Sequence, residues 1–185
     1  MTTSSAPTAS AVTYRIDPAH TLIELSAKYM MFTTVKGRFT GVTGTIVEAS
    51  NDSNGASSVD AEIDTATLST GDDKRDEHLR SADFLDVVNY PRISFKSKRI
   101  EGSGEQYRVI GDLTIHGTTR EVALDTTFNG TGKNPWGMEL ASFSAQTEIN
   151  RKEFGLNWNV ALEAGGVLVG DKVKILLEVQ AVREN

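Results

Sequence analysis

The sequence predicts an all-β fold, an elongated barrel of about eight antiparallel strands with one helix inserted between strands. Three observations carry that prediction. Apolar residues recur at every second position in almost every segment after residue 11, turn-forming clusters separate those segments, and one charged stretch, residues 72–91 (DDKRDEHLRSADFLDVVNYP), breaks the rhythm with helical character. Short connections imply hairpins, and closing the meander into a barrel removes its unpaired edges. A two-sheet sandwich is the alternative.

Residues 1–11 read as a disordered leader and residues 12–185 as one barrel domain, large enough to bury roughly 70% of its unfolded surface. The first clear alternation places Ile23, Leu25, Ala27 and Tyr29 opposite Glu24, Ser26 and Lys28. The glycine-rich block 35–46 follows, and a bulge there would exchange the inner and outer faces. After the turn cluster 51–55 (NDSNG), Val59, Ala61 and Ile63 alternate with acids.

The insert comes next, with Asp72 or Asp73 as N-cap, acids in its first turn and an Asp76–Arg80 pair at i,i+4. Leu79, Phe84 and Leu85 give it an apolar side, and Tyr90-Pro91 ends helical geometry. It is expected to cap the barrel at or near its mouth.

Strand periodicity then resumes at Ile93 and Phe95, and continues through Tyr107, Val109, Leu113 and Ile115 to Val122, Leu124 and Phe128. Phe143, Ala145 and Ile149 follow, then Val173, Ile175, Leu177 and Val179, with turn signals at 101–104, 116–117, 130–135 and 165–171. Several runs reach about ten to twelve residues against a usual five or six, so the barrel is tall. Small residues on the presumed inner faces, namely Ala27, Gly37, Gly41, Ala61, Gly111 and Ala145, leave space that a packed core would fill.

Composition excludes several classes. A net charge of −6 and a pI near 5.1 leave no basic face for nucleic acid. There is no cysteine, hence no thiol chemistry, cysteine metal site or disulfide. No signal peptide or transmembrane segment is recognisable, and a cytoplasmic location is expected. His20, His78 and His116 lack metal-ligand spacing, so no metal or cofactor is expected, and no nucleophile elbow, phosphate loop or paired-carboxylate signature occurs.

With the segments placed, the chain resembles the YceI-like family of lipocalin-type barrels from residue 14 to 182. The resemblance rests on YRIDPAHT (14–21), VKGRFTGVTGTI (35–46), RDEHLRSADF (75–84) followed by YP and SFKS, GDLTIHGTTREVAL (111–124), PWG (135–137), NRKEFGL (150–156) and VGDKVKI (169–175). It implies an antiparallel barrel whose lumen binds a long-chain amphiphile such as a polyisoprenoid, an isoprenoid quinone or a fatty-acid amide. Many relatives carry an exporting signal peptide, and a histidine-leucine pair is common where this chain has Tyr29-Met30.

Alternation and resemblance together nominate a lumen lined by Ile23, Leu25, Ala27, Tyr29, Phe39, Ile63, Leu79, Phe84, Ile93, Phe95, Val109, Leu113, Val122, Leu124, Phe143, Ala145, Trp158 and Ile175. Arg38, Arg75, Asp76 and His78 are the candidates for contact with a ligand head group at the mouth. The function expected is binding, sequestration or transport of an isoprenoid or acyl-chain lipid, with no catalytic residue. The alternatives are a cyclase- or isomerase-type enzyme acting on a bound lipid chain and a closed-core interaction module. Outward Leu176 and Val182 leave room for a homodimer.

Overall fold

The structure, a computed structural model, describes residues 11–50 and 56–185. The expected leader, apart from Ala11, and the 51–55 turn lie outside the described residues. The strands are β1 (Val12–Ile16), β2 (Leu22–Tyr29), β3 (Thr33–Phe39), β4 (Val42–Glu48), β5 (Ser58–Asp64), β6 (Arg92–Ser103), β7 (Gln106–Ile115), β8 (Thr118–Lys133), β9 (Glu139–Asn150) and β10 (Val169–Arg183). The helix α1 (Asp73–Arg80) lies between β5 and β6.

All neighbours are antiparallel, and β1 pairs with β10 to close the ring. The closed barrel has eight strands, because β1 with β2 and β3 with β4 are each one interrupted stave. Local chemistry explains both interruptions. Pro18 supplies no backbone donor, so the chain leaves the ladder for one 3₁₀ turn, capped by Asp17, which accepts from the Ala19 amide at 3.0 Å. At the second break, Thr67 Oγ1 accepts from the Gly41 amide at 3.1 Å and the Gly41 carbonyl accepts from the Asp64 amide at 2.7 Å.

Gly41 is therefore a site of close approach, not of spare lumen volume. A Cβ there would lie 2.7 Å from Thr67 Cγ2, and at Gly37 one would meet Thr70 and Leu68. Gly111 is likewise crowded, by Lys96 and Phe95. Ala27, Ala61 and Ala145 do leave space in the interior.

Alternation sets which side chains point inward, and three shifts exchange the parity. The exchange expected in 35–46 falls at Thr40-Gly41, so Phe39 and then Val42 and Ile46 face inward. Register shifts between Ser97 and Arg99 in β6, and between Phe128 and Gly130 in β8, bring in Ile100 and Thr131 in the same way.

Antiparallel order puts the connections at two ends. One end holds the end of β4, the start of β5 and the β6–β7 and β8–β9 turns. At the other lie the β2–β3 turn, α1 with its following turns, the β7–β8 turn and the long 151–168 connection. Most of the buried core, including Leu68, Phe84, Ile93, Ile115, Ile149, Phe154 and Leu156, gathers at this second end.

Candidate functional site

Inward side chains enclose a cavity of about 670 Å³ that runs the length of the barrel. That is the space of about twenty water molecules at liquid density, within the ~300–1,000 Å³ usual for ligand pockets. Its wall is apolar nearly throughout, built from residues such as Leu25, Ile46, Phe95, Val122, Phe143 and Ile175. Among the described residues only two charged side chains line it, Glu48 and Arg151, and they stand at opposite ends.

The insert closes one end. Asp72 caps α1 by accepting from the Arg75 amide at 2.8 Å. Asp76, 5% exposed, accepts from the Thr70 amide at 2.8 Å and from the Thr70 hydroxyl at 2.5 Å. Arg75 donates to Thr70 Oγ1 and to the Thr70 carbonyl, and Arg80 donates to the carbonyls of Ala66 and Leu68. These bonds fasten the helix to the 66–70 segment, while Leu79, Phe84 and Leu85 turn into the barrel as its floor.

Arg151 supports that floor from the opposite wall. It is 3% exposed, and its guanidinium donates to the carbonyls of Leu156 (2.7 Å), Trp158 (2.9 Å), Gly170 (2.9 Å) and Val169 (3.3 Å). Burial lowers its pKa, with the Asp171 carboxylate 3.9 Å away acting in the other direction, and a guanidinium remains cationic under such a shift. One side chain thus ties the 156–170 backbone to the barrel by donating to four of its carbonyls, that of Val169 shared with Asn159 Nδ2 at 2.8 Å.

The other end is open. The exposed residues among those lining the cavity are Glu48, Gly104 and Thr131, all at this mouth, where Ser57 and Tyr107 also stand. Tyr14 lies just inside, on β1, with its pKa raised by burial and by the nearby Glu48 carboxylate. Trp136, in the β8–β9 turn at the same end, is 81% exposed and reads as a rim residue.

Sixteen of the residues nominated for the lumen line the cavity: Ile23, Leu25, Ala27, Phe39, Ile63, Leu79, Phe84, Ile93, Phe95, Val109, Leu113, Val122, Leu124, Phe143, Ala145 and Ile175. Tyr29 and Trp158 do not. Tyr29 keeps the inward parity of β2, but it lies at the β2–β3 turn, past the end of the wall, and is 43% exposed. Trp158 packs outside the floor against Phe84 and the His78 ring, whose centroid is 4.6 Å away.

The nominated head-group residues are at the wrong end for the mouth. Asp76 and Arg75 are fastened to Thr70, His78 pairs with Asp83 at 2.9 Å, and Arg38 is exposed on β3 beside its backbone bridge to Ser69. None lines the cavity. The helix is a floor and not a mouth cap, and Asp76 bonds Thr70 where an Asp76–Arg80 pair was expected.

None of the three histidines lines the cavity. Among the described residues no cluster of three or more acids and histidines is arranged for a metal ion, and no helix is long and apolar enough to cross a membrane. What the geometry defines is a closed antiparallel barrel with an apolar chamber, sealed at one end and open at the other.

The chain belongs to the YceI-like domain family, whose model matches residues 14–181. A UPF0312 protein of Pseudomonas putida (strain W619) is 38% identical over 155 residues, spanning 82% of this chain and 80% of the relative. A UPF0312 protein of Staphylococcus aureus (strain bovine RF122 / ET3-1) is 36% identical, spanning 87% and 92%. Among solved structures, the Campylobacter jejuni YceI protein superposes with a TM-score of 0.69 at 27% identity, covering 85% of this chain and 90% of that one. Burkholderia cenocepacia BcnA shares the fold, with a TM-score of 0.73 at 24% identity over 89% of this chain and 98% of its own.

Proposed function

We propose that this protein binds one long-chain amphiphilic lipid, isoprenoid or acyl, with its tail on the helix-built floor and its polar end at the mouth. The observation that carries the reading is the apolar chamber of about 670 Å³, closed at one end. An unfilled apolar chamber forgoes dispersion contacts, and each methylene placed in it contributes about 0.8 kcal/mol. A chain lying along the barrel makes such contacts over its whole length, so depth sets the preferred chain length.

The role is sequestration or transfer rather than catalysis. Among the described residues the lining offers no histidine, and its one buried cation is already committed to four backbone carbonyls. The same barrel fold occurs in a polyisoprenoid binding domain from Saccharophagus degradans, at 13% identity and a TM-score of 0.66. Organic extraction of the purified protein followed by mass spectrometry tests the reading. A long-chain lipid bound at about one per chain is expected; an extract without lipid, together with no uptake of any long-chain probe, would overturn it.

A further inference from the structure

Among the described residues, the densest group of exposed large apolar side chains lies on the outside of the sealed end. Phe32 is 83% exposed, and Tyr29, Met30, Met31, Val160 and Val167 are exposed with it. Two segments build this surface, the β2–β3 turn and the 160–168 stretch, joined by bonds from the Met30 amide to the Leu168 carbonyl (2.8 Å) and from the Leu168 amide to the Val160 carbonyl (2.9 Å). The Met31 thioether sits where a Cβ on Gly166 would fall. None of these six side chains lines the chamber.

The turn is strained. Met30 and Met31 have φ of 48° and 68°, left-handed values that two-residue hairpin turns ordinarily give to Asn-Gly. Methionine at both positions costs stability and sets two flexible apolar side chains at the tip beside Phe32. Across residues 29–35 and 155–170 the one charged residue is Glu163, in a chain that is 24% charged. The flanking cations are already bonded: Lys28 donates to Thr34 Oγ1, Lys36 pairs with Glu24, and Lys152 pairs with Asp171.

The Phe32 amide donates to the Tyr29 carbonyl and the Leu162 amide to the Gly166 carbonyl, so with the bonds above these amides need no water. A convex apolar surface with its backbone bonded internally can enter the boundary of a bilayer, whereas a protein partner is held by polar groups at the rim. Trp136 at the mouth is as exposed, but Lys133, Glu48 and the Arg183–Glu139 pair share its rim. We infer that the sealed end docks on a neutral, zwitterionic lipid bilayer, with Met30, Met31 and Phe32 entering the head-group boundary and the mouth facing water. A net charge of −6 makes anionic bilayers the poorer surface. Docking goes beyond the chamber reading and does not depend on it.

Co-sedimentation of the full chain with phosphatidylcholine vesicles, and with vesicles of equal parts phosphatidylcholine and phosphatidylglycerol, reads the docking. Partitioning is expected to be stronger on the neutral vesicles, and Phe32→Ser should lower it roughly tenfold while Trp136→Ser leaves it unchanged. Both side chains are exposed, so thermal unfolding of either variant should match the parent. Phe32→Trp in a Trp136→Phe background should shift its emission to the blue on adding phosphatidylcholine vesicles and be quenched by brominated chains. Partitioning unmoved by Phe32→Ser, lost instead with Trp136→Ser, or dependent on the anionic lipid overturns the inference. So does a dimer in sedimentation velocity that Phe32→Ser dissolves without changing vesicle partitioning, which makes the surface a contact between copies. The chamber reading stands or falls separately, on lipid extraction.

Discussion

The two ends of this barrel are built from different kinds of interaction. At the floor, charged side chains are spent on backbone groups: Asp76 on Thr70, Arg80 on Ala66 and Leu68, and Arg151 on four carbonyls, all beside a packed core of Phe84, Phe154 and Leu156. At the mouth, Tyr14, Tyr107 and Thr131 line the cavity with hydroxyls that bond nothing among the described residues. The contrast teaches that charged side chains bonded to Thr70 and to backbone carbonyls mark the sealed end. Substitutions at the floor should therefore act on stability, and those in the upper lumen on binding.

The sharpest break of that contrast is Arg151→Met, which leaves several buried carbonyls without a donor. It should lower unfolding free energy by about 3–5 kcal/mol, read from the denaturant midpoint. Asp76→Ala strands the Thr70 amide and hydroxyl and should cost about 2–3 kcal/mol by the same measurement. In the lumen the order reverses. Ala61→Trp, across from Phe95, should displace roughly three methylenes of a bound chain and weaken lipid affinity roughly fiftyfold, about 2.4 kcal/mol. Its effect on the stability of the delipidated protein should be smaller than that of either floor variant.

The smallest effect is expected at Asp17, at the β1–β2 break. Its pKa is lowered, first by the hydrogen bond with His20 at 2.7 Å and further by the Ala19 amide, partly opposed by burial. A depressed carboxyl pKa gives stability that is fully present above the unfolded value near pH 4 and is lost as pH falls through the folded one. Asp17→Asn, which retains a capping oxygen, should flatten that acid limb by less than about 1 kcal/mol, measured by denaturation across pH 2–6. A steep acid limb surviving in the variant would assign it to other carboxylates.

Much of the wall was legible because alternation is a direct consequence of the pleat: once Ile23 faces in, Leu25 and Ala27 must. Legibility failed where the parity changed. Ile100 and Thr131 enter the chamber through bulges at Ser97–Arg99 and Phe128–Gly130, and neither flanking sequence announces an extra residue. Tyr29 failed for a different reason, since periodicity does not say where the wall ends. Tyr14 and Ile16 also line the chamber, from a five-residue strand too short for alternation alone to establish which face is inward.

The insert's existence, its Asp72 cap and its apolar side were readable, but its end of the barrel was not. Charged residues at i,i+4 spacing describe a solvated helix equally well, and only the fold brings Thr70 beneath Asp76. Arg151 was visible only inside the NRKEFGL motif. Nothing local marks an arginine whose partners are carbonyls up to 19 residues away.

The central claim is that one apolar chain lies along a chamber of fixed depth, and a chain-length series tests it most directly. Uncharged lipids of increasing length, titrated into delipidated protein, should gain up to about 0.8 kcal/mol per methylene and then plateau, with Ala61→Trp moving the plateau to shorter chains. Affinity independent of chain length, or a plateau unmoved by Ala61→Trp, would contradict it.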